Sequence, residues 1–165
     1  MISKKIKLIV FSLFLIFQTG CLSEMTSTVK SALNFQSGKV WIERLRFKVD
    51  PNLNNNSPVT MNLIIVYRKD IMDELSKMTA FKYFNEINKI KRSYDSNSVK
   101  IFSFDIIPGQ RMEDKNVLPE RVSSALGAFI FVRYSNDGEH RVQLGSEKFL
   151  LVQLGKLDFS VSEIK

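Results

Sequence analysis

Short runs in which apolar and polar residues alternate, separated by turn-forming residues, constrain the fold of this sequence more than any other feature. The run at 39–49 has apolar side chains on one side and basic side chains on the other. Successive side chains of a strand point to opposite faces of a sheet, so this pattern predicts a half-buried β-strand. The apolar positions are Trp41, Leu45, Phe47 and Val49, and the basic ones are Arg44, Arg46 and Lys48. Residues 100–107, 149–154 and 157–161 also read as strands.

Two longer apolar runs indicate strands that are covered on both faces. Residues 59–67 are apolar at most positions, and 126–134 is the most apolar run outside the N-terminal leader, which predicts a central strand. Turn-forming residues separate the runs at 50–57, at Pro108-Gly109 and at Asn136-Asp137-Gly138. An Asp-Gly pair supplies the positive φ angles of a tight hairpin, so we expect 139–144 to return as a strand.

A segment with helical spacing interrupts the strands at about residues 70–93. Asp70 is the expected N-cap of a first helix, and Thr79 is expected to cap a second short one. The apolar stripe is expected to pack on the sheet, and the alternative is that its aromatic side chains line a ligand pocket or a partner groove. The stripe comprises Ile71, Leu75, Met78, Ala80 or Phe81, Phe84 and Ile87, and continues to Lys91.

Together these elements predict a mainly β domain over residues 38–165. Its expected architecture is a two-sheet β-sandwich of about seven to eight strands with a small helical insertion. Residues 111–124 have no clean period and many charges, so we expect them to form a long surface connection. Without a leader of 20 residues the chain has 145 residues, which suits one domain with a substantial core.

The first 20 residues have the order of a secretion signal, with a positive start, an apolar core and small residues before Cys21. The apolar core at 8–17 is about half the length that a membrane-spanning helix needs. Cys21 is the only cysteine, so no intramolecular disulfide can form. Its position resembles the bacterial lipobox, in which the cysteine becomes the first mature residue and carries acyl chains. Gln18 stands where Leu is preferred, and an ordinary signal peptide with an incidental cysteine is the alternative.

Residues 21–37 are polar, rich in Ser and Thr, and without a sustained period. This composition is typical of a tether, here between the lipid on Cys21 and the domain. The alternative is that Val29, Leu33 and Phe35 dock on the domain. Leu22 follows the cysteine where Asp would otherwise retain the protein at an inner membrane, which resembles lipoproteins sorted to an outer membrane.

Several functional classes are disfavoured by the composition. The net charge of +7 includes three leader lysines, and the basic residues are scattered instead of being clustered with aromatics, which argues against nucleic-acid binding. The sequence contains no motif that combines a nucleophile, a base and an orienting acid. His140, the only histidine, follows a turn and is expected to be exposed or hydrogen-bonded. No metal-ligand spacing or phosphate loop is present. We therefore expect no enzymatic activity, catalytic residue, metal site or cofactor.

A series of short motifs follows Cys21 in a characteristic order. They are Val49-Asp50-Pro51-Asn52, Ser57-Pro58-Val59 with Tyr67 at the end of that strand, Phe81 to Phe84 in the helical segment, Pro108-Gly109-Gln110, Ala128-Phe129-Ile130-Phe131, and a polar hairpin that ends near Arg141. This order resembles the outer-membrane lipoproteins of type VI secretion systems, the TssJ family. The match covers nearly the whole mature chain, and the order of the motifs carries it.

The resemblance implies a transthyretin-like β-sandwich on the periplasmic face of the outer membrane. It also implies that the chain fixes the membrane complex of a secretion machine by binding the periplasmic region of an inner-membrane subunit of the TssM type. In that family the loop between the first two strands contacts the partner. The corresponding residues here are Asn52, Leu53, Asn54, Asn55 and Asn56, with Leu53 as the apolar anchor.

Two other classes remain open from the sequence. The chain could be a lipoprotein of another envelope assembly, such as a pilotin or a conjugation-type core component, that uses the same sandwich for a different partner. It could also be a periplasmic ligand-binding lipoprotein, with the aromatic helix lining the pocket.

Overall fold

A computed structural model describes residues 40–117 and 124–164, which form two four-stranded sheets and two helices. The expected signal at 1–20, the expected tether at 21–37 and part of the expected connection at 111–124 lie outside the described residues. The strands are β1 (Arg44–Val49), β2 (Val59–Val66), β3 (Val99–Ile106), β4 (Lys115–Asn116), β5 (Gly127–Val132), β6 (Arg141–Leu144), β7 (Phe149–Leu154) and β8 (Phe159–Glu163). The helices are α1 (Lys69–Leu75) and α2 (Ala80–Ser93).

The two sheets have different pairing patterns. The first sheet has the order β4-β1-β7-β8, in which β1 and β7 run parallel and the other pairs antiparallel. The second sheet, β3-β2-β5-β6, is antiparallel throughout. The predicted mainly β sandwich with a small helical insertion is therefore confirmed. The segment that was expected to be a surface connection contains a short strand, β4, which pairs with β1.

Side chains that alternate along β1 and β7 fill the space between the sheets. Leu45 and Phe47 are buried, whereas Arg44, Arg46 and Lys48 point to solvent on the outer face of the first sheet, as the period-two pattern predicts. The strand β2 is buried on both faces, and β5 is buried at every position. Since β5 lies between β2 and β6, the prediction of a central strand at 126–134 is confirmed.

The expected position of Trp41 on the buried side of the first strand is wrong. Val40 and Ile42 are fully buried, and Trp41 is exposed. The amides of Glu43 and Arg44 both donate to the carbonyl of Lys148, at 2.9 and 3.2 Å. Two residues therefore oppose one, as in a β-bulge, and the alternation changes phase at this point.

The helices cover the outer face of the second sheet and enclose a second core. Ile71, Leu75 and Tyr83 pack there against Phe129 and Phe131, which confirms that the apolar stripe packs on the sheet. Tyr83 stacks on Phe131 with ring centroids 4.3 Å apart, and its hydroxyl accepts a hydrogen bond from Asn62 Nδ2 at 3.0 Å. The aromatic stripe is therefore a structural element of the fold.

The helix boundaries confirm one predicted cap and correct the other. The Thr79 hydroxyl accepts from the amide of Lys82, so Thr79 is the N-cap of α2, but α2 is the longer helix, with 14 residues. Asp70 lies inside the first turn of α1, whose N-cap is Arg68. The Asp70 carboxylate instead accepts hydrogen bonds from Arg68, which lower the pKa of Asp70 below its ordinary value. No helix among the described residues is long and apolar enough to cross a membrane.

Arg141 joins the helices to the second sheet. Its guanidinium, at the start of β6, donates to the carbonyls of Leu75, Ser76 and Met78 at the end of α1. The last carbonyls of a helix have no partner within the helix, and they carry partial negative charge. The partly buried guanidinium of Arg141 therefore fixes the link between α1 and α2.

Candidate partner-binding surface

The strands place the loops at two opposite ends of the sandwich. β1 begins where the chain enters from the expected tether, and it ends at the Asn-rich loop. We call the first of these the tether end, formed by residues 40–43, 95–98, 124–126 and 145–148. We call the other the loop end, formed by residues 50–58, 107–110, 133–140 and 155–158. The pairings of β1 with β7 and of β2 with β3 and β5 fix this assignment.

The Asn-rich loop has an unusual backbone. Asn54, Asn55 and Asn56 have consecutive positive φ angles of 47°, 54° and 64°. Asparagine adopts the left-handed region more readily than most residues because its short polar side chain can bond nearby backbone groups. At the start of the loop, Asp50 Oδ1 accepts from the amide of Asn52 at 2.6 Å. The run of asparagines is therefore explained first by the shape of the turn.

Asn54 fastens this loop to the neighbouring hairpin. Its Oδ1 accepts from both the amide and the hydroxyl of Ser135, each at 2.8 Å, and its Nδ2 donates to the carbonyl of Pro58 at 3.2 Å. The side chain is buried. Asn54 thus holds two segments that are 81 residues apart in the sequence.

We expect Asn54→Gly to lower the free energy of unfolding by about 1–3 kcal/mol, because three hydrogen bonds are lost at a buried site. Glycine accepts the positive φ angle without steric cost, so the variant tests the side chain alone. Asn55→Gly makes the same backbone change at an exposed position and is the matched control. Urea unfolding measures both, and equal effects of the two substitutions would contradict a fastening role for Asn54.

His140 closes the far side of the hairpin. Its Nδ1 lies 2.9 Å from Asp158 Oδ1 and its Nε2 lies 3.0 Å from the carbonyl oxygen of Asn136. The Tyr134 hydroxyl lies within hydrogen-bond distance of the carbonyls of Gly155 and Asp158. Burial, aided by the nearby Asp158 carboxylate, raises the pKa of Tyr134. These contacts join the hairpin to the turn at 155–158, so the loops form one connected platform.

The hairpin does not use its Asp-Gly pair as the sequence predicted. The positive φ angle belongs to His140, at 41°, and Gly138 is not in the left-handed region. A Cβ on Gly138 would lie 2.6 Å from His140 Nε2. Glycine is therefore required here because the imidazole packs against the backbone. Of the two expected environments for His140, exposed or hydrogen-bonded, the structure shows the hydrogen-bonded one.

Apolar side chains surround the polar tips of the loop end. Phe81, Ile107 and Leu157 are 78%, 56% and 52% exposed. A groove of about 610 Å³ separates the start of α2 from the hairpin, with the guanidinium carbon of Arg133 4.5 Å from the Phe84 ring centroid on its wall. A second groove of about 500 Å³ lies at the ends of β1 and β7. Exposed apolar groups beside polar tips are typical of protein-binding surfaces.

The structure divides the five loop residues that were expected to bind a partner. Asn52, Asn55 and Asn56 are exposed, whereas Asn54 is buried and Leu53 is fully buried in the core between the sheets. The expectation that Leu53 offers an apolar anchor is therefore corrected, because its side chain is already used within the protein. The exposed large apolar side chains of the loop end are instead Phe81, Ile107 and Leu157. The sequence pattern had placed them in the helical stripe or in strands. The lipidation candidate Cys21 lies outside the described residues.

The described residues show no arrangement typical of a metal site. Within 40–117 and 124–164, no three His, Cys, Asp or Glu side chains converge. His140 uses both ring nitrogens in structural contacts. The exposed groups of the loop end are amides, such as those of Asn52 and Asn55, and apolar side chains, such as those of Phe81 and Leu157.

Comparisons with known proteins connect this fold to secretion lipoproteins. No protein-family model matches the chain, and no curated protein matches it. The solved structure of the type VI secretion lipoprotein TssJ1 from Pseudomonas aeruginosa is similar, with a TM-score of 0.53 and 14% identity over 74% of this chain and 95% of that one. Lip from Serratia marcescens, a membrane-bound component of the type VI secretion system, has a TM-score of 0.52 and 16% identity over 74% of this chain and 99% of that one. The chain thus has the fold of these two lipoproteins.

Proposed function

We propose that this protein is an outer-membrane lipoprotein subunit of a type VI-like secretion machine, a member of the TssJ family. Acyl chains on Cys21 hold it on the periplasmic face of the outer membrane. The loop end binds the periplasmic region of an inner-membrane subunit of the TssM type, and so ties the membrane complex to the outer membrane. The fold shared with two type VI secretion lipoproteins supports this proposal.

The observation that carries the proposal is that the start of the described domain and the Asn-rich loop lie at opposite ends of β1. The described domain begins at Val40, shortly before β1 starts at Arg44, and the Asn-rich loop follows Val49. Six residues of strand separate these points by about 20 Å, at ~3.3 Å per residue. A domain that is held at one end and binds at the other is suited to linking a membrane to a partner.

The loop end also has the mixture of groups that a specific interface needs. Side-chain amides of Asn52, Asn55 and Asn56 both donate and accept hydrogen bonds. Phe81 and Leu157 supply apolar groups that a partner could bury, and buried aromatic residues commonly dominate binding energy. Because Asn54, Tyr134 and His140 hold the loops together, little ordering remains to be done on binding.

We expect the triple variant Asn52→Ala, Asn55→Gly and Asn56→Gly to weaken capture of the TssM-type periplasmic region at least about tenfold, the effect of losing ~1.4 kcal/mol of binding energy. Glycine at positions 55 and 56 keeps the positive φ angles, so the fold should persist. Asn88→Ala, at an exposed position of α2, is the control. Binding is measured by titration calorimetry and folding by the melting temperature.

Three outcomes separate this proposal from its alternatives. Unchanged affinity in the folded triple variant would exclude the loop as the main contact. Capture of a pilotin-type or conjugation-type partner in place of the TssM-type region would assign the sandwich to another envelope assembly. Tyr83 is packed in the second core, whereas Phe81 and Phe84 line the groove beside the hairpin. A small molecule that occupies this groove would favour the third class, a ligand-binding lipoprotein.

A further inference from the structure

The exposed large apolar side chains of the described residues divide equally between the two ends of the sandwich. Phe81, Ile107 and Leu157 lie at or beside the loop end, where the proposed partner binds. Trp41, Leu126 and Phe149 lie at or beside the tether end, which the proposed function leaves unused. The exposed fractions at the tether end are 39%, 51% and 37%. A second apolar surface therefore needs an explanation of its own.

Two cations accompany the aromatic rings at the tether end. Arg44 lies over the Phe149 ring, with its guanidinium carbon 5.6 Å from the centroid, and Lys148 Nζ lies 5.7 Å from the Trp41 centroid. These four residues, Trp41, Arg44, Lys148 and Phe149, form what we call the aromatic-basic patch. Long basic side chains with apolar stems and a tryptophan are typical of the membrane–water interface, where the rings sit at the headgroup level.

The acidic side chains near the patch are engaged within the protein. Glu43 accepts from Trp41 Nε1 at 2.8 Å and lies 3.9 Å from Lys148 Nζ. Glu163 accepts from the Lys148 amide at 3.2 Å, and Glu147 accepts from the Gly145 amide at 2.7 Å. The patch is therefore not a strongly positive surface. Insertion of the aromatic rings, with the two cations reaching lipid phosphates, has to supply most of the attraction.

We propose that the aromatic-basic patch docks on the bilayer surface to which the chain is anchored, an inference that rests on the proposed lipid attachment at Cys21. The first described residue is Val40, which directly precedes Trp41 in the sequence. A linker that can span two sites holds the linked groups at up to millimolar effective concentration, so a contact too weak for free protein forms once the chain is anchored. We infer that a bilayer covers the patch, because the lipid attachment at Cys21 would hold this end of the domain near the lipid surface.

Docking in this way would orient the whole domain. With Trp41 and Phe149 at the headgroups, β1 leads away from the bilayer and the loop end faces the periplasm. A lipid attachment at a single point does not by itself select one among the orientations of the domain. The patch would restrict these orientations and present the partner-binding surface to the inner-membrane subunit.

The sequence allows a direct test because it contains one cysteine and one tryptophan. The mature chain, residues 21–165, is coupled through Cys21 to a maleimide lipid in vesicles of phosphatidylethanolamine and phosphatidylglycerol. We expect Trp41 emission to shift to shorter wavelength on coupling, to be quenched by lipids brominated near the headgroup and to become protected from iodide. Chemical coupling keeps this test independent of acylation in the cell, so failure of docking and failure of lipidation are distinguishable.

Matched variants identify the surface that is responsible. Phe149→Ser and the double change Arg44→Glu with Lys148→Glu should each reduce quenching by brominated lipid. The double change should weaken binding to the anionic surface by roughly fivefold per basic residue removed. Phe81→Ser and Lys156→Glu change the same residue types at the loop end and should leave the quenching unaltered. Trp41 emission that stays unshifted and open to iodide on coupled vesicles would overturn the proposal. A concentration-dependent shift without vesicles would also overturn it, because a second copy of the chain would then cover the patch.

Discussion

Replacing Phe129 by alanine is expected to destabilise the domain by about 3–5 kcal/mol, the usual cost of emptying a phenylalanine site in a core. Phe129 is fully buried in the interior strand β5, and its ring centroid lies 5.9 Å from that of Phe131. Both rings support the helices on the second sheet. The substitution therefore removes packing from β5 and from the helical insertion at once.

Urea unfolding followed by circular dichroism measures this loss. Phe81→Ala is the matched control, because Phe81 is mostly exposed and its replacement should cost no more than about 0.5 kcal/mol. A loss below about 1 kcal/mol for Phe129→Ala would mean that β5 is not a central strand of the folded protein. Similar losses for both variants would contradict the assignment of the second core.

Replacing Cys21 by serine is expected to release the protein from membranes almost completely. Each buried CH₂ group of an acyl chain contributes ~0.8 kcal/mol, so loss of the chains removes the dominant membrane attachment. The contact made by the aromatic-basic patch is too weak to retain free protein. Cell fractionation with a high-salt wash measures the distribution of the wild type and the variant.

The folded domain should be indifferent to the change at Cys21, because the described core begins at Val40. The urea midpoint of the variant should therefore equal that of the wild-type mature chain, which is the control for misfolding. If Cys21→Ser remained with salt-washed membranes, lipid anchoring at this cysteine would be refuted.

The sequence predicted the sandwich because the order of apolar and polar residues along each strand indicates which faces of that strand are buried. The alternation at Arg44–Val49 matches a strand buried on one face, and the continuous apolar run at Gly127–Val132 matches a strand buried at every position. Thr79 was identifiable as a cap because its hydroxyl competes with solvent for the free amides at a helix start. These features depend on residues near one another in the sequence, so no knowledge of the rest of the fold is needed.

The features that sequence reasoning missed depend on contacts between distant segments. Trp41 is exposed because the bulge opposite Lys148 changes the phase of the strand. Gly138 is required by the ring of His140, which Asp158 holds from another turn. Leu53 is buried because the loop folds back onto the core, so a residue that looks like an exposed anchor in the sequence is unavailable.

The sequence predicted where the Asn-rich loop lies, but it did not predict which of the loop's side chains are exposed. The run of asparagines located the loop, since such residues favour left-handed turns. The sequence did not reveal that Asn54 fastens the hairpin or that Phe81 and Leu157 lie around the loop end. These assignments need the pairing of β1 with β7 and of β2 with β5, which places the loops together.

Co-flotation of the partner with vesicles tests the central claim, that one domain links a membrane to an inner-membrane subunit, most directly. Acylated protein is reconstituted into vesicles, mixed with the purified periplasmic region of the TssM-type subunit, and centrifuged through a density gradient. We predict that the partner floats with wild-type protein, floats with the Asn88→Ala control, and stays at the bottom with Cys21→Ser or with the triple variant of Asn52, Asn55 and Asn56. A partner that remains at the bottom with wild-type protein, or floats equally with the triple variant, would contradict the account.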